Sequence, residues 1–399
     1  MLPLAAAASA TEWHNLGARA MAMGGTGTAL AQGPIGAYWN PAGLDQANNS
    51  SGVELPFTGH AAVSGDMVQG ANDLAQLQKD CQAGAPNCTD ANIQNALNKL
   101  NSSGTGARAD LGGGAFVKIG KLAVFADDVT DIGAKPMIDM THATAATVQN
   151  NTSAIVLRGI SATEFGAAYG HELPFARGVM VGGALKGIVG RVGYAQHQLL
   201  GSGDSSSTGF LGDFSKNTKS SFQPGIDLGA IWDLIRSFAG VPMHPRLAVA
   251  AHDLNGPSFS QPEVAKNNGE PGKFKLQPNA RAGFAISPLG FMNFTADLDL
   301  TSNATAASSQ AARYGGVGAE FNVINSQSFN LPLRFGLSRN LAQAGAKTLI
   351  SLGGGLRLFH VSLDLAVNWS PKKVTTQSID QSKTFPAEFG AGATLGVTF

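Results

Sequence analysis

Charge is scarce in this chain. Asp, Glu, Lys and Arg make up 14% of its 399 residues, with 27 basic and 27 acidic side chains. No basic stripe is present, which excludes an electrostatic nucleic-acid surface. No block of like charge forms a solvating tail. Long hydrophobic runs are also missing: no 18 consecutive residues are apolar, so no transmembrane helix is expected. Aromatic residues are 7% of the chain, with only 4 Trp and 4 Tyr, which is thin for the aromatic girdles of a membrane barrel. There are two cysteines, Cys81 and Cys88. Their spacing fits neither a zinc site nor a C-x-x-C redox pair, and a small disulfide loop in an oxidising compartment is the expected use.

Catalytic and nucleotide motifs are lacking too. Gly24-Gly25-Thr26-Gly27 is followed by no Gly-Lys-Ser/Thr and preceded by no strand, so it is not a phosphate loop. His171-Glu172 has no second His at the spacing of a zinc protease. Gly203-Asp204-Ser205 lacks the flanking Gly of a nucleophile elbow, and His197 and His252 could be its partners only by accident of folding. The chain is expected not to be an enzyme and to carry no metal and no cofactor.

What the chain has is glycine, 51 residues of it, with a mean hydropathy of +0.02. Its last stretch alternates. Phe389, Ala391, Ala393, Leu395, Val397 and Phe399 point one way, while Gly390, Gly392, Thr394, Gly396 and Thr398 point the other. About 9–11 residues of tilted strand cross a bilayer, and an apolar face alternating with a small or polar one marks a transmembrane barrel strand. Ending on Phe resembles the C-terminal signal by which bacterial outer-membrane barrels are recognised for insertion.

Similar segments recur near 51–60, 108–118, 121–127, 162–172, 177–197, 223–233, 245–252, 279–287, 291–300, 313–323, 329–338, 347–357, 361–369 and 387–399. Phe294, Ala296, Leu298 and Leu300 alternate with Thr295, Asp297 and Asp299; Leu331, Leu333, Phe335 and Leu337 alternate with Arg334, Gly336 and Ser338. The connections sort by length. Those near 119–120, 173–176, 234–244, 288–290, 324–328 and 358–360 are short; those near 61–107, 128–161, 198–222, 253–278, 301–312, 339–346 and 370–386 are long. Short turns at one rim and long loops at the other are the habit of outer-membrane barrels. The expected fold is therefore all-β: a transmembrane antiparallel β-barrel of about 14 strands, with both ends of the wall on the periplasmic side.

Arg281, Asp297, Asp299, Glu320, Arg334, Arg357 and Asp364 fall on the inner face, where both signs can pair across neighbouring strands. Residues 61–107 read as a helical extracellular insertion. One helix is expected over Asn72 to Lys79, and a second is capped by Thr89 or Asp90, with Ile93, Leu97 and Leu100 on one face. Cys81 and Cys88 would staple the corner between them. Residues 1–10, ending in Ala8-Ser9-Ala10, read as a signal-peptide remnant.

Residues 11–50 form a separate unit. They are too rich in Gly and small residues for a regular membrane strand, and irregular backbone is tolerated inside a barrel but not in lipid. Gly17-Ala-Arg-Ala-Met-Ala-Met-Gly-Gly25 and Tyr38-Trp-Asn-Pro-Ala-Gly-Leu44 resemble the N-terminal plug motif of the FadL-like outer-membrane superfamily. Asp253 to Phe259, Lys275 to Gly283, Ala296 to Thr301, Arg339 to Leu341 and Val361 to Leu365 are similar to the core of its conjugal transfer TraF-like family. The resemblance covers most of residues 13–369. It implies a fourteen-stranded barrel (51–399) in the bacterial outer membrane, its lumen closed by an N-terminal hatch (11–50). Gly24, Gly25, Asn40, Pro41, Ala42 and Gly43 match the hatch motif.

The function that follows is a passive conduit or receptor for small hydrophobic molecules. The expected partners are outer-membrane lipid and such a molecule, with no nucleic acid. The alternative is a structural or docking component of a conjugal plasmid transfer apparatus, with envelope transfer proteins as partners. The third and weakest reading is an outer-membrane lipid hydrolase built on Ser205.

Overall fold

The computed structural model describes residues 12–46, 50–102, 104–200, 209–305, 311–326, 328–343, 345–378 and 381–399. The signal-peptide reading of residues 1–10 and the Gly203-Asp204-Ser205 motif lie outside them.

Fourteen antiparallel strands close on themselves as a barrel. In chain order they are β1 (Gly52–Ser64), β2 (Gly106–Ile119), β3 (Leu122–Met137), β4 (Ala154–Glu172), β5 (Val179–Gln198), β6 (Thr218–Asp233), β7 (Arg246–His252), β8 (Asn279–Leu289), β9 (Met292–Asp299), β10 (Tyr314–Asn325), β11 (Phe329–Asn340), β12 (Leu349–Leu358), β13 (Val361–Trp369) and β14 (Glu388–Thr398). Each pairs with its sequence neighbour, and β1 pairs with β14, from Gly52 opposite Thr398 to Ala62 opposite Glu388. Closure leaves no sheet edge, which a lipid environment requires.

The period of two puts apolar side chains outside. Phe57, Leu111, Val124, Phe165, Leu185, Phe284, Phe335 and Leu395 are all exposed on the outer face. The intervening residues turn inward, among them Asp297, Glu320 and Arg334, all buried. The short turns between β2 and β3, β8 and β9, and β12 and β13 share one rim, and the long loops share the other.

Strands β3 and β4 continue past their expected limits of 127 and 162. The first outward residues there are polar: Asp128 accepts hydrogen bonds from Thr130, Ser161 and Thr163. The wall therefore rises beyond the hydrocarbon layer, where an apolar outer face is no longer required. In contrast β7 is only seven residues long. The segment after it, 253–278, was expected to be a plain outer loop but folds inward. It carries a small hairpin, Ser258–Ser260 against Lys273–Lys275, and packs Phe259, Phe274 and Leu276 on the inward residues Ile160, Ala162, Ile188 and Val192.

The outer insertion forms two helices, Met67–Gln82 and Asp90–Asn101. The first is longer than expected at both ends. Thr89 caps the second, its hydroxyl accepting from the Asn92 amide, and Cys81 and Cys88 form a disulfide. Further small hairpins, Asn303–Ala304 with Ala311–Ala312 and Lys373–Ser378 with Gln381–Pro386, lie in loops where no strand was expected.

Candidate functional site

Residues 12–46 lie inside the barrel. The Ala18–Ala22 helical turn presents Ala18, Met21 and Ala22 to Ala366 of β13. It ends at Gly24 and Gly25, both at positive φ (73° and 74°), a conformation that glycine adopts without steric cost. The chain then passes so close to β11 that a Cβ on Gly336 would sit 2.1 Å from the Gly24 nitrogen. A second turn, Gly36–Trp39, leads to Asn40, which caps the short Pro41–Asp45 helix by accepting from the Ala42 amide at 3.1 Å. Pro41 occupies the first helical position, where no amide proton is needed.

Asn40 also ties this segment to the wall. Its Nδ2 donates to Thr28 O (3.2 Å) within the segment, to Ala230 O (3.2 Å) on β6 and to Val249 O (3.3 Å) on β7. Pro41, Ala42 and Gly43 are buried beside it. A Cβ on Gly182 of β5 would fall 2.4 Å from the Ala42 nitrogen, so the small wall residues are what allow backbone to meet backbone here.

The inner-face charges hold the same segment. Glu320 on β10 receives Arg19 through two hydrogen bonds and Arg334 through a third at 2.7 Å; Arg334 in turn donates to Asp364. Arg281 pairs with Asp299 at 2.6 Å and donates to Gly25 O at 3.0 Å. One oxygen of Asp297 accepts from the Gly27 amide, the Thr28 amide and the Thr28 hydroxyl. Glu54 accepts from the Ile35 amide at 2.8 Å. Arg357 stands apart: it is half-buried near the short-turn rim, and no ion pair to it is seen among the described residues. Six of the seven inner-face charges expected from the sequence join networks, and three of those, Arg281, Asp297 and Glu320, bond to the N-terminal segment itself. Arg19 and Glu54 were not anticipated.

Aromatic residues pack the middle of the segment. Trp13 stacks on His252 with centroids 3.9 Å apart, and the Arg281 guanidinium lies 4.8 Å from the Trp13 ring centre. Tyr38 donates to His14 O, and Trp39 Nε1 donates to Leu16 O. Burial pushes the Tyr38 phenol well above its ordinary range, helped by the nearby charges of Asp127 and Glu164. For His14, burial by itself would lower the pKa. The Asp110 carboxylate beside it and the charges of Asp131 and Glu12 outweigh this and raise it.

Two cavities adjoin the segment. One of about 60 Å³ is lined by Trp13, Tyr38, Asp127, Asp131, Ile160 and Lys186, among others. Lys186 there bonds Glu164 (2.9 Å), Asp227 (3.1 Å) and Asp253 (3.1 Å). The other, about 40 Å³, is lined by Glu12, His14, His60, Arg108, Asp110 and Glu388, among others. Either volume holds a few waters. Of the residues weighed as hydrolase partners, His197 is exposed at the far end of β5, whereas His252 is buried under Trp13 with its Nε2 2.7 Å from Tyr38 O.

Comparison with known proteins follows the same lines. Residues 37–300 match the family described as "F plasmid transfer operon, TraF, protein". No curated protein matches the chain. Among solved structures, the Ralstonia pickettii toluene transporter TbuX is similar at 14% identity and a TM-score of 0.50, over 96% of this chain and 98% of that one. The Pseudomonas putida toluene transporter TodX is similar at 12% identity and a TM-score of 0.51, over 99% of this chain and 100% of that one. At such identities the likeness is one of fold: a closed fourteen-stranded outer-membrane barrel.

Proposed function

The chain belongs to the family described as the F plasmid transfer operon TraF protein, and on that premise we propose that it is a passive conduit of the bacterial outer membrane for small hydrophobic molecules. Residues 12–46 act as its hatch. The observation that carries this reading is the filled lumen. A water-filled pore of the porin kind needs an open polar channel, whereas here Leu16, Met21, Met23, Trp39 and Leu44 are all buried within the barrel. Such a packed interior favours an apolar molecule, which can exchange for apolar contacts at little cost, over an ion or a sugar. The apolar cluster around Phe259, Phe274 and Leu276 offers such contacts on the outer side of the hatch, and the short strand β7 offers the wall's least paired stretch. TbuX and TodX, whose fold the chain shares, are toluene transporters, which favours an apolar cargo.

The test is conductance and uptake in lipid bilayers. The intact protein should pass few ions and should speed equilibration of an apolar aromatic probe across vesicles. Removal of residues 11–44 should turn it into an ion-conducting pore while the barrel still assembles. A probe flux no greater than that of empty vesicles would end the conduit reading.

The family match supports a second reading, a docking component of an envelope transfer apparatus. In that case the same deletion should abolish capture of transfer-apparatus proteins from the envelope and leave permeability unchanged.

A further inference from the structure

The barrel register places three titratable residues side by side on the inner face. His60 on β1 is opposite Asp110 on β2, and Asp110 is opposite Asp131 on β3. Like charges directly across a strand pair destabilise a sheet. Yet Asp131 is 3% exposed, and neither of its carboxylate oxygens has a hydrogen-bond partner among the described residues. Leaving a buried carboxylate unpaired costs far more than a surface ion pair returns. The start of the N-terminal segment brings Glu12 and His14 to the same place. Glu12, His14 and Asp131 line one cavity; Glu12, His14 and Asp110 line the other.

We propose that Glu12, His14 and Asp110, with Asp131 beside them, form a binding site for a first-row divalent transition metal, which fastens the hatch to the wall. One ligand atom from each of Glu12, His14 and Asp110 lies within 4.8 Å of the other two. The His14 Nδ1 to Asp110 Oδ1 distance is 3.7 Å, too long for a hydrogen bond. It suits two ligands that each stand about 2.0–2.2 Å from one ion. Asp131, buried with neither carboxylate oxygen hydrogen-bonded among the described residues, lines a cavity with Glu12 and His14 and adjoins the site. One imidazole with two carboxylates favours zinc, manganese or iron over calcium and magnesium, which take all-oxygen shells.

The surroundings fit an outer shell. His60 Nδ1 lies 3.0 Å from Asp110 Oδ2, and its Nε2 lies 3.0 Å from Glu388 Oε1, the arrangement that orients a metal-bound carboxylate. Arg108 donates to Glu12, Glu388 and Tyr314. A carboxylate offers about four lone-pair sites, so Arg108 does not exhaust Glu12.

The experiment is calorimetric titration of the full-length, chelator-treated protein in detergent with Zn²⁺, and separately with Mg²⁺ and Ca²⁺. The expected result is about one Zn²⁺ per chain, with Mg²⁺ and Ca²⁺ at least about tenfold weaker. His14→Gln should lose Zn²⁺. Asp131→Asn keeps the side chain's shape and removes the neighbouring buried carboxylate, so the barrel should keep its heat-modifiable electrophoretic mobility and bind Zn²⁺ more weakly. His60→Gln should weaken binding by roughly 10–100-fold. Zn²⁺ should also slow proteolysis within residues 12–46 of the native protein. No Zn²⁺ uptake by the native protein, or uptake unchanged in Asp131→Asn or in His14→Gln, overturns the proposal.

Discussion

Arg19 in the lumen segment meets Glu320 of the wall edge-on, with Nε 2.9 Å from Oε2 and Nη2 2.8 Å from Oε1. Two parallel charge-assisted bonds fix orientation as well as distance. Arg334 holds the same carboxylate from the other side, so Glu320 stays paired when Arg19 is lost. Arg19→Met should therefore cost about 1.5–3 kcal/mol, the value of a hydrogen bond to a charged group, and not the larger cost of an orphaned buried charge. Its effect should fall on hatch seating: thermal unfolding in detergent should shift modestly downward, and bilayer conductance should show transient openings absent from the native protein.

Asn40 is satisfied on both sides of its amide. Asn40→Asp preserves the cap on Ala42 but faces a carboxylate toward the carbonyls of Thr28, Ala230 and Val249. Asn40→Ala loses the cap as well. Each should destabilise the segment by about 1–3 kcal/mol. Protease accessibility within residues 12–46 measures this, and it should rise in both variants with the barrel core still protected.

Gly336→Ala tests the close approach of segment and wall. The added methyl would meet the Gly24 nitrogen at 2.1 Å, and neither backbone can yield cheaply. Overpacking of this kind costs about 1–3 kcal/mol. Gly290, on a short turn with nothing within 4 Å of a Cβ, is the control: Gly290→Ala should leave both unfolding temperature and conductance unchanged.

The loop after β3 should respond to acid. Asp139 accepts from the Thr141 hydroxyl and amide and from the Thr152 hydroxyl and amide, and it contacts His142 Nδ1 at 2.8 Å. The Thr141 hydrogen bond first, then that of His142, hold its carboxyl well below the usual value of 3.8. A depressed carboxylate contributes stability that is present above its unfolded-state pKa and is lost as pH falls through the folded one. Amide protection of residues 138–153, measured against the intrinsic exchange rate at each pH, should hold from neutrality down to about pH 4 and fall below. Asp139→Asn should be less protected throughout and lose that acid-dependent fall.

How far the sequence could be read depended on which solvent each residue meets. Within hydrocarbon the rule is strict, and Phe389 to Phe399 could be assigned face by face. Above the membrane the outer face of β3 carries Asp128 and Thr130, so its alternation no longer separates apolar from polar, and residues 128–137 read as loop. The 253–278 segment has no period at all. What folds it inward is a handful of separated apolar residues, Phe259, Phe274 and Leu276, whose partners lie some hundred positions earlier.

Asn40 caps Ala42 two positions on, a contact local enough for the Asn40-Pro41 pair to signal a turn in the sequence. Arg19 left a signal that went unused: it is the only Lys, Arg, Asp or Glu between residues 13 and 44, and one charge in a stretch destined for burial must find a partner. The Glu12, His14, Asp110 and Asp131 cluster left none. Its members come from the segment and two strands, with no spacing in common.

Alternation of side chains along each strand and the sorting of connections by length were enough to dictate a closed fourteen-stranded wall, because lipid admits almost no other solution. Which lumen residues meet which was decided only in three dimensions. Register and closure bring Arg19 to Glu320 across 301 positions and align His60, Asp110 and Asp131, and no local preference of the chain encodes contacts at such separation.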